Sequence, residues 1–291
     1  MSTAGGARGG DAVPTCYRHP DREAHIRCNR CERPICPECM IPAAVGFHCP
    51  DDVAQARAAT RQRTTVLGGA VRENSTLVTT ILIGINAVVF ALTLLTGARG
   101  TSPVVNELLL VPVASYQGDV VGVLAGEWYR LLTAVFLHEQ FWHIGLNMLA
   151  LWILGSALEP VLGRWRFLTL FLLSGLGGST ASLMFSQGAG SLGASGAVFG
   201  LLGALVVVMR RLNRDIGGVV AILGLNVVLG FVVGGVDWRA HLGGLAIGLV
   251  LGWLYAHAPR QNRTRSAVLA SVGVALLLLA VLVGWYAYIS A

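Results

Sequence analysis

Four polar residues stand within long apolar stretches of this chain, and each is of a type that does chemistry. Ser195 lies in GASGAVFG (193–200), His241 in HLGG, and His143 and Asn147 in HIGLN. A serine hydroxyl is a weak nucleophile until a base takes its proton, and a neutral imidazole can do so near pH 7. Ser195 and His241 therefore form a candidate nucleophile and general base. His143 and Asn147 are spaced i, i+4 and share a helix face. With the backbone N–H of Ser195 they could hold the oxyanion formed when the serine attacks a carbonyl, where one donor is worth about 3–4 kcal/mol. His241, Gly244 and Gly248 share a second face, and Ser195, Phe199 and Gly203 a third. Glycines on such faces, Gly193, Gly196 and Gly200 among them, let two membrane helices approach closely. That approach would bring the imidazole to the hydroxyl.

The elements that must position these groups are set by hydropathy. Of the 291 residues 54% are hydrophobic and 12% charged, about half the charged fraction of a soluble protein. A spanning helix needs about 20 apolar residues, and seven segments qualify: 77–96, 140–159, 166–186, 194–210, 216–235, 239–257 and 267–288. The chain is thus expected to be an all-α polytopic membrane protein. The stretch 97–139, broken by Pro103 and Pro112 and carrying GEWYR, reads as an interfacial loop with short helices. Trp128 and Arg130 are expected at the headgroup level, and His138, Glu139 and Gln140 form a wet interfacial cap before the second span, with lining of the water path as the other reading of His138. Asp237 reads as an N-cap of the sixth span, with a triad acid as the other possibility. Glu159 and Arg164 close the second span structurally, and Gly175, Gly177 and Gly178 serve tight packing of the third.

The net charge of +6 does not point to nucleic acid, because the arginines sit in short clusters between apolar runs. Arg57, Arg61, Arg63 and Arg72, then Arg164 and Arg166, then Arg210, Arg211 and Arg214, then Arg260, Arg263 and Arg265 fall on one side of the seven spans. Only Arg99, Arg130 and Arg239 fall on the other. The positive-inside rule then puts the N-terminus in the cytoplasm and the C-terminus outside, with all four reactive residues near the outer ends of their helices. Residues 1–15 hold no apolar core, so no signal peptide is expected. Arginine without lysine suggests a GC-rich, bacterial source. Asn86 and Asn226 lie deeper in their spans and would suit a transporter, the least favoured reading.

All six cysteines fall within 16–52. Cys16-x2-His19, Cys28-x2-Cys31 and Cys36-x2-Cys39 are followed by His48-Cys49 and Asp52. Paired ligands two apart indicate structural zinc, and a cytosolic location disfavours disulfides. So short a segment needs the metal as its staple. The organisation expected is a disordered 1–15, a zinc-binding domain at 16–52, a linker at 53–75, a membrane core at 76–260 and an additional helix at 261–291.

The order and spacing of GASG (193–196), His143-x3-Asn147, His241-Leu-Gly-Gly244-x3-Gly248 and GEWYR resemble the rhomboid intramembrane serine proteases over about 75–260. The resemblance implies a six-helix core and a Ser195–His241 dyad cleaving a transmembrane substrate near its outer end, entered laterally from lipid. It implies no metal for catalysis. Phe199 stands where many rhomboids have a tyrosine beneath the catalytic histidine; it can still stack but offers no hydroxyl. The alternative is a catalytically silent rhomboid-like protein that binds membrane helices. The cysteine region resembles B-box zinc fingers, in which alternate ligand pairs share a metal. That implies one site of Cys16, His19, Cys36 and Cys39, and a second of Cys28, Cys31 and Cys49 with Asp52 or His48. Such modules bind protein, so a cytosolic protein partner is expected.

Overall fold

The computed structural model describes residues 13–59, 64–65, 67–68, 76–97, 102–185, 188, 190–232 and 234–291. The expectation of disorder over 1–15 lies outside these residues up to position 12, as does much of the linker. The chain divides into two compact units, Met1–Gln62 and Arg63–Ala291.

The first unit has little regular structure. Strands β1 (Ile26–Arg27) and β2 (Pro34–Ile35) pair antiparallel, as do β3 (Ile41–Pro42) and β4 (Phe47–His48). A 3-10 turn at Pro37–Cys39 and helix α1 (Pro50–Ala59) complete it. Its buried apolar residues are Cys16, Ala24, Cys28, Ile35, Cys36, Cys39 and Cys49, so sulfur supplies most of the core.

In the second unit every one of the seven expected spans is helical: α2 (Leu77–Thr96), α5 (Phe141–Leu162), α6 (Arg164–Phe185), α7 (Ser195–Arg211), α8 (Gly217–Val232), α9 (Trp238–Ala256) and α10 (Arg263–Ser290). Helices satisfy every internal backbone group, which lipid cannot do. Five of them are long and apolar enough to cross a membrane. The other two, α7 with 17 residues and α8 with 16, are shorter. Helix α6 is central: 61% of its apolar window is buried, against 28–33% for the other four long spans.

The segment before α5 differs from a loop of short helices alone. It holds α3 (Pro103–Leu108) and α4 (Arg130–Thr133), but also a hairpin of β5 (Ala114–Tyr116) and β6 (Asp119–Val121). Gln117 and Gly118, both at positive φ, make its two-residue turn, the geometry that matches strand twist. Arg130 is not a surface side chain. Its side chain is fully buried, donating from Nε to Glu127 (2.7 Å) and from Nη1 to the carbonyls of Asn106 (2.7 Å) and Leu109 (3.0 Å). A guanidinium can be buried where carbonyls and a carboxylate meet its fork. Trp128 is partly exposed and packs edge-on against Tyr286 of α10. Arg130 and Glu127 hold each other: the guanidinium, and then the Gly122 N–H, keep the Glu127 carboxyl below the usual carboxylate range.

Glu159 has a structural task across the bundle. Buried in α5, its carboxylate accepts from Val78 N (2.9 Å), Thr79 N (2.8 Å) and Thr79 Oγ1 (2.7 Å). It therefore caps the free N–H groups at the start of α2, where a negative charge is favoured. Asn86 and Asn226 each return an amide hydrogen to the carbonyl one turn back, on Leu82 and Ile222 (both 2.8 Å).

Candidate functional site

The site is built on a glycine seam. A Cβ on Gly244 would overlap the Gly196 carbonyl, and one on Gly248 the Gly200 carbonyl; at Gly252 it would meet Ala204 Cα at 2.8 Å. Helices α7 and α9 thus touch backbone to backbone along three successive turns. On the other side α6 closes in: a Cβ on Gly178 would lie 2.7 Å from the Ala240 carbonyl and 3.3 Å from Gly196 Cα. Gly177 faces Ile247, and Gly175 faces Val135 and Ala197.

This seam brings two of the candidate residues to one place. Gly196 follows Ser195, Ala240 precedes His241, and a Cβ on Gly196 would lie 3.1 Å from the Ala240 carbonyl. One turn into α7, Phe199 stacks on the His241 ring, with centroids 4.1 Å apart and planes 13° from parallel. His241 is buried, and its Nδ1 lies toward Gly230 of α8, where a Cβ would be 3.5 Å away. Asp237 is the N-cap of α9, its Oδ1 accepting from Ala240 N at 3.2 Å.

A third element reaches the same point. Gly193, at φ +118°, turns the chain into α7, and its missing side chain leaves room for His143: a Cβ there would lie 2.7 Å from Cε1 and 2.8 Å from Nε2 of that ring. Asn147 is buried and donates from Nδ2 to the His143 carbonyl at 3.1 Å, which leaves its second amide hydrogen for another acceptor. A small cavity opens beside these residues, lined by Ala134, Gly178, Ser179, Gly193, Gly196 and Ala240.

His138 departs from expectation. It is not a wet cap but fully buried, its ring edge-on to His143 at 5.0 Å between centroids. It stands outside any helix, so no periodicity in the sequence announces this packing.

In the N-terminal unit, two groups of ligand atoms gather, and their members interleave along the chain. His19 Nδ1 lies 3.9, 3.3 and 3.5 Å from the sulfurs of Cys16, Cys36 and Cys39. In the second group Asp52 Oδ2 lies 3.0 Å from Cys28 Sγ and 3.2 Å from Cys49 Sγ, and the sulfurs of Cys31 and Cys49 are 3.7 Å apart. Asp52, and not His48, joins this group, because α1 turns Asp52 inward while His48 is held in β4. A tetrahedral zinc site with bonds of about 2.3 Å to sulfur has edges of about 3.8 Å, so both groups fit one divalent ion each. All six cysteines are free thiols.

Comparison with known proteins agrees with both units. Residues 125–258 match the Rhomboid domain model, and residues 11–54 match the B-box zinc finger model. Rhomboid protease GluP of Bacillus subtilis is 37% identical over 188 residues, covering 63% of this chain and 36% of that protein. Putative rhomboid protease YdcA of the same organism is 34% identical over 143 residues, 47% of this chain and 72% of the relative. Rhomboid protein 1, mitochondrial, of Saccharomyces cerevisiae is 35% identical over 152 residues, 46% and 44% of the two chains. The chain spans about a third of the length of GluP. With relatives in bacteria, yeast and plants, the similarity does not single out a bacterial source. A multi-pass helical unit whose glycine seam gathers a serine and two histidines, and which matches these relatives along most of YdcA, belongs to the rhomboid family, an intramembrane protease family, here joined to a B-box zinc finger.

Proposed function

We propose that this protein is an intramembrane serine endopeptidase that cuts transmembrane segments of other proteins. Ser195 is the nucleophile. His241 takes its proton through Nε2 and then gives it to the leaving amine. The observation that carries the reading is the Phe199–His241 stack at 4.1 Å beside the contact of Gly196 with Ala240. It supports a fixed imidazole next to the first residue of α7, which is what a serine needs in order to lose its proton. In this role Phe199 sets the plane of the ring, and Gly244 and Gly248 set its distance.

His143, the free amide hydrogen of Asn147 and the backbone N–H of Ser195 hold the oxyanion. The contact between the His143 ring and Gly193 supports this arrangement. The cavity beside Gly178 and Gly193 takes a small side chain of the substrate at the scissile bond. The arginine distribution supports a cytoplasmic N-terminus and cleavage near the opposite, extracytoplasmic face. Helix α8, in which Gly230 is the buried residue among those described, is held least firmly and is the element a substrate displaces on entering from lipid.

In the N-terminal unit two zinc ions are structural, one in each ligand group, and they supply the folding energy that Ala24 and Ile35 alone cannot. The exposed surface of this unit meets a cytosolic protein partner.

The test is labelling by a fluorophosphonate probe in detergent. Native protein is expected to label, and Ser195→Ala and His241→Ala are not. His143→Ala is expected to slow cleavage of a model transmembrane substrate by about 100-fold or more. Labelling that persists in Ser195→Ala would overturn the assignment.

A further inference from the structure

Arg33 is used on every side by the second ligand group. It sits between Cys31 and β2, and its guanidinium donates from Nε to Cys31 Sγ at 3.2 Å and from Nη2 to Cys49 Sγ at 3.4 Å. Its third nitrogen, Nη1, reaches Asp51 Oδ2 at 3.0 Å. One face of the plane lies on the Tyr17 ring, with the central carbon 4.2 Å from the centroid. No described arginine or histidine stands in this relation to the first group, whose ligands Cys16, His19, Cys36 and Cys39 include a neutral imidazole instead of a carboxylate.

The charges explain the asymmetry. Around a divalent ion, three thiolates and an imidazole leave a net charge of minus one, whereas three thiolates and a carboxylate leave minus two. Excess negative charge on sulfur is relieved by N–H donors, and such outer partners also fix the direction of the ligands. Arg33 supplies one positive charge and two N–H···S bonds to the more negative group. Through Asp51 it also ties the 28–31 turn to the start of α1, which carries Asp52. Lysine offers the charge but not the planar fork that reaches two sulfurs and a carboxylate at once.

We propose that Arg33 is a positioning and charge-balancing residue specific to the Cys28–Cys31–Cys49–Asp52 metal site, and that it makes a Cys3Asp site hold its ion as firmly as the Cys3His site. This rests on the reading that both groups bind zinc.

The experiment uses the full chain in detergent with two zinc ions bound, graded chelator, and mass-spectrometric reading of alkylation at each cysteine. Native protein is expected to expose both groups over a similar range of chelator. In Arg33→Gln, Cys28, Cys31 and Cys49 are expected to react at about 10- to 100-fold lower chelator strength, while Cys16, Cys36 and Cys39 follow the native curve. Arg33→Lys should recover only part of the difference, and Arg30→Gln, in the same turn, should behave as native. Cobalt substitution should show an altered sulfur-to-metal absorption for one of two ions. If all six cysteines of Arg33→Gln and Arg33→Lys follow the native curve, or all six shift together, the proposal is overturned. Native protein that binds no zinc would instead overturn the zinc reading itself, and this inference with it.

Discussion

Along α7 and α9 the chain is held by the absence of side chains: Gly244 lies on Gly196 and Gly248 on Gly200, carbonyl against Cα. In the N-terminal unit it is held by side chains of one special kind, the cysteines that make up most of its core. The first arrangement suits lipid, where apolar side chains gain little by meeting each other and close backbone contact supplies dispersion and weak C–H···O attraction. The second suits a short segment that cannot bury enough apolar area, and whose gathered ligands could draw on the energy of metal–ligand bonds instead. Each device also serves its site. The seam fixes the separation of α7 and α9 by backbone geometry, which varies little, and in the proposed mechanism that separation is the one between Ser195 and His241. The two ligand groups, with zinc bound as proposed, would set the shape of a small surface.

The sharpest way to separate the two regions is to remove metal. A structural zinc site contributes on the order of 10 kcal/mol or more to folding. Strong chelator is therefore expected to open the N-terminal unit to trypsin at Arg18, Arg22, Arg27 and Arg30 while the helical unit stays resistant. Equal protection of these sites with and without zinc would break the comparison.

A smaller effect is expected from the seam. Gly248→Leu puts a side chain into the Gly200 carbonyl, and overpacking of this kind costs on the order of 3 kcal/mol. The variant should lose cleavage and melt earlier in detergent, with its zinc content unchanged. Gly273→Leu, where a Cβ meets nothing within 4 Å, should be close to native in both. A Gly248→Leu enzyme as active as the native protein would mean that the seam does not set the distance between reacting groups.

The smallest effect concerns the polar staple before α5. The Glu127 carboxyl is depressed by Arg130 and by the Gly122 N–H. Its contribution is fully present above the ordinary glutamate pKa of about 4.3 and is lost as pH falls through the lower folded value. Below that point the loop should become more open to proteolysis in native protein. Glu127→Gln should already be more open at neutral pH and should show a flatter response to acid. A native loop with no acid response would remove the staple from the account.

Much of this could be read before any fold was seen. The seven spans follow from local hydropathy, with ends differing from the helices by a few residues. The Asp237 cap needed only its place before an apolar run, whereas the stacking of Phe199 on His241 was expected from the rhomboid resemblance. The hairpin at 114–121 was not legible, because its strands are three residues long and half exposed, too short for alternation to register. The burial of Arg130 was hidden for another reason. Its acceptors on Asn106 and Leu109 lie more than 20 residues away, and without them an arginine reads as surface.

The sequence by itself determined which segments form apolar helices and which residues offer a hydroxyl, an imidazole or a thiol, because those properties belong to single side chains and to runs of neighbours. Only the tertiary structure decided that His138 packs on His143, that Glu159 caps a helix 80 residues before it, and that Asp52 rather than His48 completes the second ligand group. Each of these depends on two elements meeting at a given angle and depth. That meeting is set by close packing across the whole unit, which no local pattern encodes.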